Sequence, residues 1–210
     1  MTILRIDASI QGPRSAGSAL ADAVLAEITA GRPNENVVRR HLGAEPLPAE
    51  AWANAVHAGW TPEADRTQDQ REALALAGTL AGELREADAA VMALPLYNWG
   101  VSQHVKTWID LAIAGAPLGD RLLEGTPTVL IVTRGGAYGP GTPKEGWDHS
   151  IDYLRRVVAE VWGADLTLIE RELTLVGVNP ALDAFAETAA LLKKTAEEAA
   201  VTAGQVLSRR

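Results

Sequence analysis

Ala89-Ala90-Val91-Met92-Ala93-Leu94-Pro95-Leu96-Tyr97-Asn98-Trp99 is the stretch from which the fold can be read. Its first six residues are apolar without a break, and Pro95 closes the run. A strand with one wet face alternates apolar and polar residues. An unbroken apolar run of this length fits a strand buried on both faces, as in a parallel sheet. Thr128-Val129-Leu130-Ile131-Val132-Thr133 repeats the signal and gives the strongest strand expectation in the chain.

Working outward, helical spacing separates the strand-like runs. Residues 3–8 read as a strand that ends in Ala8-Ser9, with Gly12 and Pro13 beyond it. Residues 18–30 place Leu20, Ala23, Val24 and Ile28 at helical spacing, and Gly31-Arg32-Pro33 stops them. A second strand is expected over 36–42. Residues 43–62 are irregular and hold Trp52, His57 and Trp60, with room for a short helix. Helices are expected over 63–87, 103–114, 148–162 and 180–207, with Pro180 near the start of the last. A fifth strand is expected over 164–173. Strands that alternate with helices imply right-handed crossovers and an α/β fold. With five strands the expected architecture is a single flavodoxin-like, doubly wound parallel sheet of order 2-1-3-4-5 over 1–210, with ligands beyond the carboxyl ends of the strands.

Composition narrows the chemistry. The chain has 210 residues, 47% hydrophobic and 22% charged, ordinary values for a globular protein with one sizeable core. It has no cysteine, which removes disulfides, thiolate zinc sites, cysteine-ligated iron–sulfur clusters and a cysteine nucleophile. The net charge of −8 is unsuited to nucleic-acid backbones. No apolar run is long enough for a bilayer, and the first residues lack a signal-peptide pattern. A cytoplasmic location is therefore expected, with no membrane and no nucleic-acid partner. The four histidines, His41, His57, His104 and His149, show no metal-ligand spacing, so no metal site is expected.

Three loops at the switch point could carry chemistry. The first runs from Ser9 to Ser18, with hydroxyls and glycines ahead of a helix N-terminus, which suits a phosphate; the same residues also serve as a turn and an N-cap. It matches neither GxxxxGK[ST] nor GxGxxG. The second, 95–102, puts Tyr97, Asn98 and Trp99 after the buried strand, where a flat aromatic ligand could lie. The third is Thr133-Arg134-Gly135-Gly136, whose glycines let backbone approach a ligand closely. No GxSxG elbow is present, so a serine hydrolase is not indicated.

Taken together, the loops resemble the FMN-dependent NADH:quinone oxidoreductases, or azoreductases. Pro95-Leu96-Tyr97-Asn98-Trp99 is similar to that family's P-M-Y-N-F segment, and 103–110 to its following helix start. Thr133-Arg134-Gly135-Gly136 resembles its S-R-G-G. The first loop resembles its S-x(5)-S-x-S, with Gly17 in place of the last serine. The resemblance covers residues 1 to about 180. It implies that Ser9, Ser15, Ala16 and Gly17 hold the FMN phosphate. It implies that Leu96, Tyr97, Asn98 and Trp99 line the isoalloxazine ring, and that Thr133, Arg134, Gly135 and Gly136 contact its pyrimidine edge. It also implies a homodimer in which NADH or NADPH reduces FMN and two electrons pass to a small aromatic acceptor, a quinone or azo compound.

Two departures stand out. The connection over 115–125 is shorter than the lid many family members carry, and His104 replaces an aliphatic residue. Hydride transfer itself requires no acid–base side chain, so no catalytic residue is assigned; water, Tyr97 and His149 are the candidates for supplying a proton to the acceptor. Trp60, Trp147 and Trp162 are candidates for an acceptor wall or for core and interface packing. A non-catalytic FMN electron carrier and a tailoring reductase for polycyclic quinones remain open beside the main reading.

Overall fold

A computed structural model describes residues 1–210. In chain order its elements are β1 (Thr2–Asp7), α1 (Ala16–Gly31), β2 (Asn36–His41), α2 (Ala51–Gly59), α3 (Gln68–Arg85) and β3 (Ala89–Ala93). A small hairpin follows, β4 (Leu96–Tyr97) and β5 (Gly100–Val101), and then α4 (Gln103–Ala114) and β6 (Pro127–Thr133). The chain ends with α5 (Ile151–Arg155), β7 (Asp165–Arg171) and α6 (Ala186–Ser208).

The main sheet runs β2-β1-β3-β6-β7, and every pairing in it is parallel. With the hairpin set aside, this is the expected order 2-1-3-4-5. All five residues of β3 are buried, as the unbroken apolar run requires. On one face of the sheet Leu4, Ile6, Met92, Leu130 and Val132 pack under α2, α3, α4 and α5. On the other, Ile3, Val91, Val129, Ile131 and Ile169 pack under α1 and α6. The carboxyl ends of β1, β3, β6 and β7 therefore meet on one rim.

Caps explain several boundaries. Ser102 caps α4 by accepting the Val105 N–H, and Gly115 closes that helix, so its limits fall where expected. The helix expected over 63–87 is instead a 3₁₀ turn over Glu63–Asp65, a break, and then α3. Thr67 and Gln70 form a reciprocal capping box that starts α3 afresh.

The helix expected over 148–162 begins later, at Ile151, and turns into a π-helical segment over Arg156–Val161. There the Trp162 N–H reaches back to the Val157 carbonyl at 2.8 Å. The wider turn carries Val157, Val158 and Trp162 into the core together. Trp162 packs edge-on against Trp108 at 5.4 Å, so it belongs to the core and not to an acceptor wall. The last expected helix opens with a 3₁₀ segment, Pro180–Phe185, before α6.

Candidate functional site

A cavity of about 230 Å³ opens on the rim at the carboxyl ends of the strands. Its wall takes Ser9, Gln11, Arg14, Ser15 and Ala16 from the first loop, Pro95, Leu96 and Tyr97 from the second, and Thr133 and Gly135 from the third. Seven of the twelve expected site residues thus share one cavity: Ser9, Ser15, Ala16, Leu96, Tyr97, Thr133 and Gly135. The sheet order brings them together, since β1, β3 and β6 are neighbours.

The first loop is tied down by its own hydroxyls. Ser15 is buried, caps α1, and accepts the Ser18 N–H at 3.1 Å. The Ser18 hydroxyl donates to Asp7 at 2.7 Å, and Asp7 is held by the buried Arg5 guanidinium at 2.6 Å. The cap therefore stands on a buried ion pair, and the first turn of α1 presents its N–H groups towards the rim. Gly17 lies behind this loop. A Cβ there would meet Ala93 and Thr133 at ordinary contact distances of 3.5 Å.

Tyr97 joins the first two loops. Its hydroxyl accepts the Ile10 N–H at 3.0 Å and lies 3.3 Å from the Ser9 Oγ. Ser9 in turn accepts the Gln11 N–H at 3.2 Å. Beyond Tyr97, Asn98 and Trp99 turn the hairpin with φ of 48° and 68°. Two successive left-handed residues make the tight turn that fits the strand twist, and they push the Trp99 ring outward, 47% exposed. Trp147 meets it edge-on at 6.2 Å, and the His149 N–H donates to the Trp99 carbonyl at 2.9 Å. Asn98, Trp99, Trp147 and His149 line a separate shallow depression rather than the main cavity. Trp60 lies at the end of α2, 79% exposed beside His57, and lines neither.

The third loop holds the largest departure from expectation. Arg134 does not line the cavity. Its side chain is buried, with Nε 2.5 Å from Asp148, one terminal nitrogen 2.6 Å from Glu170 and the other 2.8 Å from Glu172. Its backbone is also engaged, by the Arg171 carbonyl and by the N–H and hydroxyl of Thr174. Burial alone pushes the Asp148 carboxyl up. The backbone and hydroxyl of Ser150, the Arg134 guanidinium and the Ile151 N–H outweigh that and hold it below its usual range.

Gly135 and Gly136 accept at their carbonyls from Leu175 and Leu173, while their own N–H groups bond to nothing in the protein. Gly136 is buried. An unpartnered N–H in a buried loop beside a cavity is the feature a carbonyl-bearing ring would satisfy.

A fourth wall was not expected from the sequence. Thr174, Leu175 and Val178 line the cavity from the segment after β7. Residues 173–175 lie along 134–136 through the hydrogen bonds just given. A Cβ placed on Gly135 would stand 2.7 Å from the Leu175 Cδ1 and 3.0 Å from its Cγ. Gln11 and Arg14 are further lining residues outside the expected set.

Residues 1–196 match the family model described as flavodoxin-like fold. An FMN-dependent NADH:quinone oxidoreductase of Frankia alni is 36% identical over 190 residues, covering 88% of this chain and 90% of that protein. The chain belongs to the FMN-dependent NADH:quinone oxidoreductase family. A member from Streptomyces avermitilis is 33% identical and spans 100% of this chain and 98% of its own length. Among solved structures, the azoreductase of Bacillus anthracis superposes with a TM-score of 0.76 at 22% identity, with both chains fully covered. An FMN-dependent NADH-azoreductase from the same species, solved in complex with FMN, gives 0.71 at 18% identity, covering 95% of this chain and 96% of its own. At these identities the two structures speak for the fold. The family assignment rests on the closer relatives and the family model.

Proposed function

We propose that the chain, acting as one domain, is an FMN-dependent oxidoreductase that carries two electrons from NADH to a flat aromatic acceptor, a quinone or an azo compound. The observation that carries this reading is a single cavity. It joins a hydroxyl-lined helix N-terminus to Gly135, whose N–H, like that of Gly136 next to it in the chain, is free, in a chain whose relatives carry that activity in their names.

Bound FMN supplies the hydride chemistry. The protein's own groups bind and orient it. Ser9, Ser15, Ala16 and Gly17 take the phosphate, with hydroxyls and helix N–H groups directed at the anion. Arg14 brings a positive charge to the same wall. Leu96, Tyr97 and Thr133 flank the ring, while the Gly135 and Gly136 N–H groups donate to its carbonyl edge. Leu175 and Val178 close the apolar side and keep water away from it. Asn98 and Trp99 stand at the ring's outer edge, where the depression they share with Trp147 and His149 offers aromatic surface to the acceptor.

The working form is a homodimer. Trp52, Trp60, Trp99 and Trp147 are exposed together with Ile113 and Leu118 in a chain with six tryptophans. So much aromatic surface on one small protein calls for a cover. The cytoplasm, where NADH is available, is the proposed location; no helix is long and apolar enough to cross a membrane. The test combines size and colour. Protein reconstituted with FMN should elute yellow at twice the 22.2 kDa of one chain. A species of one chain's mass at micromolar concentration contradicts the dimer. Colourless protein in the presence of excess FMN contradicts the cofactor.

A further inference from the structure

We propose that Arg134 is a positioning residue: its guanidinium closes the loop 134–148 into the shape that receives the flavin ring, without touching the ring. This rests on the reading of the cavity as an FMN site.

The geometry gives one cation three carboxylates drawn from separate parts of the chain. Asp148 ends the loop that Arg134 begins, Glu170 belongs to β7, and Glu172 follows it. Each contact extends further. Asp148 accepts the Ser150 N–H and hydroxyl and the Ile151 N–H at 2.7, 2.8 and 3.1 Å, which fixes the start of α5. Glu172 accepts the N–H groups of Tyr138 and Gly139 at 2.8 and 3.3 Å, which fixes the middle of the loop. The start, middle and end of 134–148 therefore hang on one guanidinium. Gly135 and Gly136, with their free N–H groups, follow it directly in the chain. Arg134 is not among the residues that line the cavity, and each of its three guanidinium nitrogens already meets a carboxylate, so its side chain is committed away from the ligand space.

Removing the cation leaves three carboxylates facing the place it filled; Asp148 and Glu172 are largely buried while Glu170 is 44% exposed, so the repulsion is least screened between the buried two. The loop opens and the glycine pair loses its place. Crowding of like charges favours proton uptake as pH falls, while Asp148 and Glu172 keep the N–H and hydroxyl donors that favour their ionised forms, so acid relieves the repulsion in part. The defect is thus full at high pH and shrinks as pH drops.

Other charged and titratable groups surround the cluster. The Tyr138 phenol is raised by burial and then by Asp148, and Lys144 lies 5.3 Å from its ring centroid. Arg171 lies on β7 between Glu170 and Glu172, and on a strand its side chain takes the opposite face, where Glu197 influences it. His149 is next in the chain to Asp148. Wild-type protein carries all of these and also binds the same ionisable FMN phosphate. The ratio of variant to wild-type affinity at each pH removes their contribution.

The experiment titrates FMN into wild type, Arg134→Gln and Arg134→Lys between pH 8 and pH 5, following flavin fluorescence, with circular dichroism at each pH. Arg134→Gln should bind FMN more than tenfold more weakly than wild type at pH 8, and that gap should narrow severalfold by pH 5. Arg134→Lys keeps the charge but not the fork, so its gap should be smaller and flatter with pH. If Arg134→Gln does not fold at pH 8, Arg134→Lys carries the comparison, and a gap with the same acid narrowing supports the proposal. A gap that is constant from pH 8 to pH 5 overturns it, because direct contact with the flavin gives no acid rescue. Affinity equal to wild type at every pH overturns it as well. Wild type that binds no FMN at any pH is a different result, and it removes the cofactor reading itself.

Discussion

Ser15→Asp should bind FMN about a thousandfold more weakly than the parent while keeping its fold. Ser15 has two duties that this substitution separates. As the N-cap of α1 it accepts the Ser18 N–H, and aspartate is as good a cap as serine. A carboxylate also suits the positive end of a helix, while the Asp7 carboxylate, reached through the Ser18 hydroxyl, opposes it, so stability should change little. As a cavity residue, Ser15 stands on the wall proposed to take the phosphate. A carboxylate in that place meets an anion: two unit charges about 4 Å apart at an effective dielectric near 20 interact by about 4 kcal/mol. At about 1.4 kcal/mol per decade that is roughly a thousandfold. Riboflavin, which lacks the phosphate, should lose far less. Flavin titrations of both ligands against both proteins, with a thermal melt to confirm the fold, decide the matter. Equal losses for FMN and riboflavin place the phosphate elsewhere.

Gly135→Val is the second large effect, and it acts through Leu175. From the sequence alone a side chain at 135 is expected to strike the ring directly. The structure shows that its Cβ first meets Leu175, 2.7 Å from the Cδ1. Leu175 lines the cavity, so the added bulk displaces it into ligand space or forces the segment over 173–175 away from 134–136. Overpacking of this kind costs about 1–3 kcal/mol, which a folded domain of this size survives. FMN affinity should fall at least about a hundredfold, the equivalent of ~2.7 kcal/mol. Adding Leu175→Ala to the same protein should return much of the loss, because it frees the space the valine needs. A Gly135→Val protein that binds FMN like the parent shows that the third loop does not face the ring.

These two residues also show what the sequence could and could not say. Ser15 was legible because a helix start is written locally, in hydroxyls and a turn ahead of an apolar pattern. The sheet was legible for a similar reason. The buried runs 89–94 and 128–133 carry their environment in their own composition, and the Ser102 cap and Gly115 mark α4 at both ends. The break at 66–67 was also written, as Thr67 with Gln70 three residues on, but the high helix propensity of the flanking residues hides it.

The π-helical widening before Trp162 has no local signature, because its cause is the distant Trp108. The same holds for the site's missing wall. Thr174, Leu175 and Val178 reach the cavity only because 173–175 pair with 134–136, a contact between distant segments. The ion pairs of Arg134 were not legible either, since the carboxylates that hold its side chain stand 14, 36 and 38 positions away.

The central claim is that this cavity holds FMN for electron transfer from NADH. Its most direct test is anaerobic absorbance of the FMN-loaded protein, with NADH added first and a quinone second. The yellow flavin band should bleach on addition of NADH, with one equivalent consumed per bound flavin, and should return on addition of the quinone. A band that stays unchanged with excess NADH contradicts the claim and leaves an FMN-binding protein that does not draw electrons from that donor.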